Sequence, residues 1–300
     1  MTTSSEPPMP TARLACVVLA HNDPSQVRRL IDALDPFPVL LHCDRRTPED
    51  VFRAMTDGLP DRVTLLPRLP TPWASWNAVA AELSGYRAAL ATTDATHVAT
   101  MAGSDYPLAS TATISAYLER HRGLSIAAYE PMPRAPWGRD GGMARLRYWH
   151  RPVRRHMLRV PIPRRIPGDV VPAGGSVLKV LARSHAQQVV DAVAARPDLV
   201  RFWRHTWAAD EIFIPTILNT PAFVPDWAKA HVDADLWFID WPTIGRKSPE
   251  WLELRHLPIL TERARADTGE PALFARKFSS RVPELLDAID LTLRSRRTDI

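Results

Sequence analysis

A chain of 300 residues that is 45% hydrophobic and 24% charged has the balance of an ordinary globular protein with a large core to bury, neither disordered nor fibrous. Its formal net charge of +5 and isoelectric point near 9.5 admit an anionic partner without choosing among nucleotide, nucleic acid, phospholipid and acidic glycan. No run approaches the roughly 18 consecutive apolar residues of a membrane span. Met1 to Pro10 lacks the basic start and apolar middle of a signal peptide and reads as a disordered N-terminus. The two cysteines, Cys16 and Cys43, lie in buried-strand patterns, so reduced thiols and a cytoplasmic protein are the expectation.

Taken in chain order, the first half alternates apolar runs with helical segments, the pattern of a mostly parallel α/β sheet covered by helices on both faces. Leu14 to His21 is a buried strand, and Asn22 or Asp23 caps a helix entered at Pro24. Val39 to Asp44 is a second strand, followed by a helix opened by Thr47-Pro48 and running through Met55. Arg62 to Leu66 is a third strand. A proline-punctuated loop with Trp73 leads to a helix over Ala78 to Leu90, and His97 to Ala102 is a fourth strand. A helix over Thr111 to Arg122 and a strand over Leu124 to Tyr129 complete the regular alternation.

Residues 131–173 then read as an irregular, proline-rich insertion, with ten arginines between Arg134 and Arg165 against the single acid Asp140. Ser176 to Leu181 is a strand, with helices near Ser184 to Ala195, Leu199 to His205 and Asp210 to Leu218. A strand at Leu236 to Asp240 and a helix over Pro283 to Arg294 end the chain. One domain over residues 11–300, carrying the basic insertion at its edge, is the simplest organisation.

Ligands of open α/β sheets bind beyond the carboxyl ends of the strands. His21-Asn22-Asp23, Asp44-Arg45-Arg46, Ser104-Asp105 and Glu130 occupy those places. No GxGxxG or GxxxxGK[ST] follows the first strand, which counts against nicotinamide enzymes and ordinary nucleotide triphosphatases. Neither CxxC pairs nor HExxH supports a zinc site. Asp105, between Ser104 and Tyr106, is not part of a DxD that would hold a divalent cation under a sugar diphosphate, so arginine or lysine would have to supply that charge.

With those residues in place, the chain resembles the Core-2/I-branching β-1,6-N-acetylglucosaminyltransferases and peptide xylosyltransferases, glycosyltransferase family 14. The motifs run in order: CVVLAHNDPSQVRRLIDAL (Cys16 to Leu34), VLLHCDRR (Val39 to Arg46), W-x-S-W-N (Trp73 to Asn77), MAGSDYPL (Met101 to Leu108) and YEPMP (Tyr129 to Pro133). GGSVLKVLAR (Gly174 to Arg183), ADEIFIPTIL (Ala209 to Leu218), FIDW (Phe238 to Trp241) and LFARKF (Leu273 to Phe278) follow. The resemblance implies a GT-A type fold and a UDP-sugar donor, with GlcNAc the first choice and xylose the second. It also implies an acceptor hydroxyl, inversion at the anomeric carbon, and no metal or other cofactor.

Carried over by position, Glu211 matches the catalytic base that deprotonates the acceptor hydroxyl; outside its motif it would be an ordinary carboxylate in a first helical turn. Lys277 matches the lysine that neutralises the departing diphosphate. The family arginine expected before the aromatic residue of FIDW is Trp237 here, so the second charge would fall to Arg246, Lys247 or Arg255, or be missing. Asp44 matches an aspartate near the uridine end, and His21 is placed on the same donor side. Asp105 either orients the donor region or caps the turn before Pro107. Glu130 matches a glutamate that touches acceptor hydroxyls, unless it pairs with a neighbouring arginine. Arg145, Trp207, and also Trp137 and Trp149, are further acceptor-side candidates, because aromatic faces stack on sugars.

The alternative is a catalytically weak protein of the same fold that binds a glycan or nucleotide. The arginine-rich stretch is either solvated surface or a contact for an anionic acceptor or membrane surface. Nucleic-acid binding finds no recognition motif. Oligomeric state is not legible.

Overall fold

The computed structural model describes residues 13–153, 156–241, 248–266 and 269–295. Strands β1 (Leu14–Ala20), β2 (Val39–Cys43), β3 (Val63–Leu65) and β4 (His97–Ala102) alternate with helices α1 (Pro24–Ala33), α2 (Glu49–Thr56) and α3 (Trp76–Thr92), as the apolar periodicity predicts. After β5 (Asp105–Pro107), α4 (Thr111–Arg120), β6 (Ser125–Ile126) and β7 (Tyr129–Pro131) come α5 (Ala144–Arg147), β8 (Tyr148–Val153) and β9 (His156–Pro163). Strands β10 (Ala173–Gly175) and β11 (Lys179–Ala182) precede α6 (Arg183–Ala195), α7 (Pro197–Trp203) and α8 (Phe213–Asn219). The chain closes with β12 (His231–Val232), β13 (Trp237–Ile239), α9 (Leu257–Arg265), β14 (Phe274–Arg276) and α10 (Pro283–Ile289).

Seven strands form the main sheet in the order β12-β6-β11-β4-β1-β2-β3, with β11 alone running antiparallel to its neighbours. The α/β class with a mostly parallel sheet is therefore as expected. Alternation along β1 divides the core: Leu14, Cys16 and Val18 pack toward α1, α4 and α10, while Ala15 and Val17 face α3, α6 and α8. Gly85 lets α3 lie close on the sheet, since a Cβ there would stand 2.2 Å from a Val17 methyl carbon. Asp23 caps α1, accepting from Gln26 N at 3.3 Å, and is held in turn by Ser279 and Ser280. Thr47 does not cap α2 as its sequence suggested; its hydroxyl donates to His21 O at 2.9 Å.

Two expectations are corrected. The strand foreseen over 124–129 divides: β6 stays in the main sheet, and β7 turns away to pair with β10. Gly175 permits that pairing, because a Cβ there would sit 2.3 Å from the Tyr129 ring. The insertion at 131–173 is not wholly irregular; it holds α5 and the β8–β9 hairpin. Prolines misled the reading because a two-stranded ribbon has free edges on which a missing N–H costs nothing. A small sheet, β13-β14-β5, extends the structure beyond the carboxyl end of β4.

A buried ion pair that the sequence pattern did not announce lies behind the sheet. Lys179 of β11 is 1% exposed and pairs with Glu82 of α3, which is 0% exposed. The same Glu82 oxygen accepts from Tyr86 at 2.5 Å and Thr100 at 2.9 Å, while Lys179 Nζ also donates to Val177 O at 2.6 Å.

Candidate active site

The ADE motif forms a single 3-10 turn, Ala209–Glu211, ahead of α8 and not the first turn of that helix. Ala208 enters it in the left-handed conformation (φ 52°) and donates to the carbonyl of Ala74, itself at φ 58°, at 3.1 Å. Two alanines in a region that penalises a Cβ are thus tied together beside the turn, a pattern of strain found at functional sites. Trp73 and Trp207, their neighbours in sequence, meet edge to face with centroids 6.4 Å apart.

Glu211 presents a side chain 40% exposed, and its Oε2 accepts from Arg145 Nη1 at 2.6 Å. The Arg145 guanidinium lies between two indoles, 4.1 Å from the Trp137 ring and 5.1 Å from that of Trp207. Arg134 covers Trp137 at 4.7 Å and reaches Glu130 at 3.3 Å. Four residues predicted from separate motifs, Glu130, Arg145, Trp207 and Glu211, thereby form one continuous surface of carboxylates and aromatic faces. Trp137 belongs to it; Trp149 lies farther out, stacked on His205 at 3.9 Å. Behind Glu211, Asp210 keeps one carboxyl oxygen enclosed without a hydrogen-bond partner. Burial, then the charges of Glu211 and Glu82, push its pKa up to about 7.

The donor-side candidates gather at the carboxyl ends of β1, β2 and β14. Asp44, 3% exposed, accepts from Arg46 Nη2 at 2.7 Å and from the backbone N–H groups of Arg46 and Thr71. Burial alone would raise its pKa, but these hydrogen bonds hold the carboxyl well below its usual range. Loss of solvent around His21 lowers its pKa first; Asp44 pulls it upward, and Arg46, Lys277 and Arg276 push it down. Those same charges place His21, Asp44 and Lys277 in one electrostatic neighbourhood. Lys277 Nζ donates to Ser248 at 2.8 Å and lies 4.5 Å from the centre of the exposed Trp251 ring. Its pKa is lowered, by burial and then by Arg276.

Asp105 is fully buried, accepting from Ala102 N at 2.9 Å and from the Trp237 indole at 3.0 Å. The enclosed carboxylate accepts within the turn after β4 and does not itself reach the surface. Trp237, the departure from the family arginine, is 4% exposed and stacks on Phe274 at 4.7 Å. Arg246 and Lys247 lie outside the described residues, and Arg255 is a surface side chain 3.5 Å from Glu253. The residue that sequence reasoning missed is Arg276. Antiparallel pairing places it opposite Asp105, its Nε stands 3.5 Å from that carboxylate, and it shares the field of Lys277. Its signal was present in LFARKF, one position before the lysine.

Among solved structures the chain is similar to galactosyltransferase LgtC in complex with donor and acceptor sugar analogs, with 8% identity, 95% of this chain and 98% of that one covered, and a TM-score of 0.37. HddC from Yersinia pseudotuberculosis matches with 10% identity over 58% of this chain and 78% of that one, at a TM-score of 0.29. In sequence it is 26% identical to xylosyltransferase 2 of Rattus norvegicus over 308 aligned positions, 95% of this chain and 34% of that protein. The chain therefore spans about a third of the length of that curated relative. The Core-2/I-Branching enzyme model matches residues 28–260, most of the chain, and the protein belongs to that family of glycosyltransferases.

Proposed function

We propose that this chain transfers a sugar from a UDP-sugar to an acceptor hydroxyl with inversion, without a divalent cation, and that Glu211 is the base. The observation that carries the reading is Glu211 itself: half-exposed, oriented by Arg145 at 2.6 Å, and set among Trp137, Trp207 and Glu130. A bound acceptor would give its hydroxyl proton to Glu211 as the oxygen attacks the anomeric carbon and the bond to UDP breaks. Lys277 and Arg276 would meet the charge that develops on the diphosphate, the part a metal ion plays elsewhere. Asp44 and His21 lie on the nucleotide side. GlcNAc is the first choice of donor sugar and xylose the second. The cytoplasm is the proposed compartment, resting on the two cysteines, Cys16 and Cys43, both buried as thiols in strands.

One observation favours a second reading, a glycan- or nucleotide-binding protein with little turnover: Trp237 stands where the family arginine would be and turns its indole onto Asp105. UDP release from UDP-GlcNAc and from UDP-xylose in excess EDTA, compared with Glu211→Gln, separates the two. Turnover in EDTA that Glu211→Gln abolishes is the expected result. UDP binding without turnover of either donor favours the second reading or a strict acceptor requirement, and absence of UDP binding rejects the transferase reading and leaves glycan binding alone.

A further inference from the structure

A cavity of about 460 Å³ opens beside the base turn, in the size range of small-molecule sites. Its wall is largely apolar: Leu69 and Pro72 from the loop after β3, Trp76 and Ala80 from the start of α3, and Met157 from the hairpin. The β8–β9 register, with His150 opposite Arg159 and Pro152 opposite Met157, puts His150 and Met157 on the same inward face.

The cavity lies between the two halves of the candidate site. The loop that contributes Leu69 and Pro72 also holds Asp44: Arg45 N donates to Leu69 O at 3.0 Å, and Thr71 N donates to Asp44 at 3.3 Å. On the other side, Thr206 lines the cavity, and the next residue, Trp207, has its ring 6.1 Å from His150 and 5.1 Å from the Arg145 guanidinium that holds Glu211. An occupant would touch the loop that holds Asp44 and, on the other side, Thr206, the neighbour of Trp207.

Its polar atoms describe a ligand. His150 is 4% exposed, and its Nδ1 lies 3.1 Å from Tyr148 O, a carbonyl that can only accept. Nδ1 therefore carries the proton, and Nε2, which has no hydrogen-bond partner among the described residues, is left as an acceptor. Burial lowers the pKa of this ring, which keeps it neutral. Among the described lining residues none is a carboxylate and Arg204 is the charged one, so nothing among them selects a cation. A single acceptor, His150 Nε2, set in an apolar slot beside Trp76 and Met157 matches a hydroxylated aromatic ring.

We infer that this cavity is an acceptor subsite for a phenolic aglycone, its ring packed against Trp76 and Met157 and its hydroxyl donating to His150. The inference rests on the proposed transferase reading and names its acceptor class. The test is calorimetric titration of the whole protein with 4-hydroxyphenyl β-glucoside and with methyl β-glucoside, with UDP titrated separately. The aryl glucoside should bind at least tenfold more tightly, about 1.4 kcal/mol. Ala80→Leu, which fills the slot, and His150→Phe, which removes the acceptor, should each cut that preference at least fivefold. The two substitutions lie on different elements, so the test survives if one fails to fold. Equal affinity for the two glucosides, or an aryl preference unchanged in the folded variants, overturns the subsite. If the aryl preference follows the prediction but UDP does not bind, the transferase reading fails while the subsite stands.

Discussion

Arg145 joins Glu211, the proposed base, to two indoles: its Nη1 lies 2.6 Å from Glu211 Oε2 while its guanidinium carbon lies 4.1 Å from the Trp137 ring and 5.1 Å from that of Trp207. One side chain therefore sets both the direction of the carboxylate and the spacing of the two indoles. Arg145→Lys keeps the charge but loses the guanidinium that contacts both indoles while bonding Glu211, and an ammonium is not equivalent there. Displacing a catalytic group slightly can cost on the order of 100-fold in rate. Arg145→Lys should lower kcat by about that factor with UDP affinity retained, and Arg145→Ala should lower it at least as far. Steady-state kinetics alongside UDP titration checks the pair, and an unchanged kcat in Arg145→Ala would remove Arg145 from the site.

Asp210 predicts a pH dependence of stability. Its pKa rises from 3.8 to about 7 on folding, so the native state holds this proton more tightly than the unfolded chain does. The contribution is fully present below about pH 4 and is lost as pH rises through about 7. Asp210→Asn should flatten the stability profile over that window and make the protein more stable than the parent at pH 8. Urea unfolding at pH 5 and pH 8 measures the difference.

Lys277 and Arg276 are expected to share the diphosphate. A hydrogen bond to a charged group contributes about 1.5–3 kcal/mol, so Lys277→Met and Arg276→Met should each weaken UDP binding by roughly 10- to 100-fold. Uridine carries no phosphate, and its affinity should move far less. If Arg276→Met leaves UDP binding intact, the arginine serves only Asp105, and the charge missing at Trp237 has another source.

The Glu82–Lys179 pair predicts an asymmetry in stability. Lys179→Met leaves a buried carboxylate facing Tyr86 and Thr100 without its cation, which should cost about 3–5 kcal/mol. Glu82→Gln combined with Lys179→Met removes both charges and keeps an acceptor for the two hydroxyls, and most of the loss should return. Chemical denaturation of the single and double variants reports the coupling.

Much of the site's raw material was legible. Strand ends after β1 and β2 marked His21 and Asp44, because ligand sites follow the carboxyl edge of a parallel sheet; the collinear motifs marked Glu211 and Lys277. Asp105 was legible as a polar residue at a strand end that either orients the donor region or caps a turn. That the oxygen accepting from Ala102 N also takes the Trp237 indole depends on β13 and β14, contributed by residues more than a hundred positions later. Arg276 was read past for the same reason, since its neighbour Asp105 arrives through an antiparallel pairing that no local pattern encodes. The β8–β9 hairpin was hidden by its prolines and arginines, which read as loop until a partner strand is present.

By itself the sequence determined the alternation of strands and helices in the first half, the Asp23 cap of α1, and the order of the family motifs. Each of those rests on chemistry within a few residues: apolar period, capping side chains, proline and glycine. Tertiary structure alone decided that Glu130, Arg145, Trp207 and Glu211 share one surface, that Lys179 is buried on Glu82, and that a cavity separates the Asp44 loop from the base. Those are relations between residues tens to a hundred positions apart, and they exist only once the core on both faces of the sheet has packed and the connecting segments have nowhere else to lie.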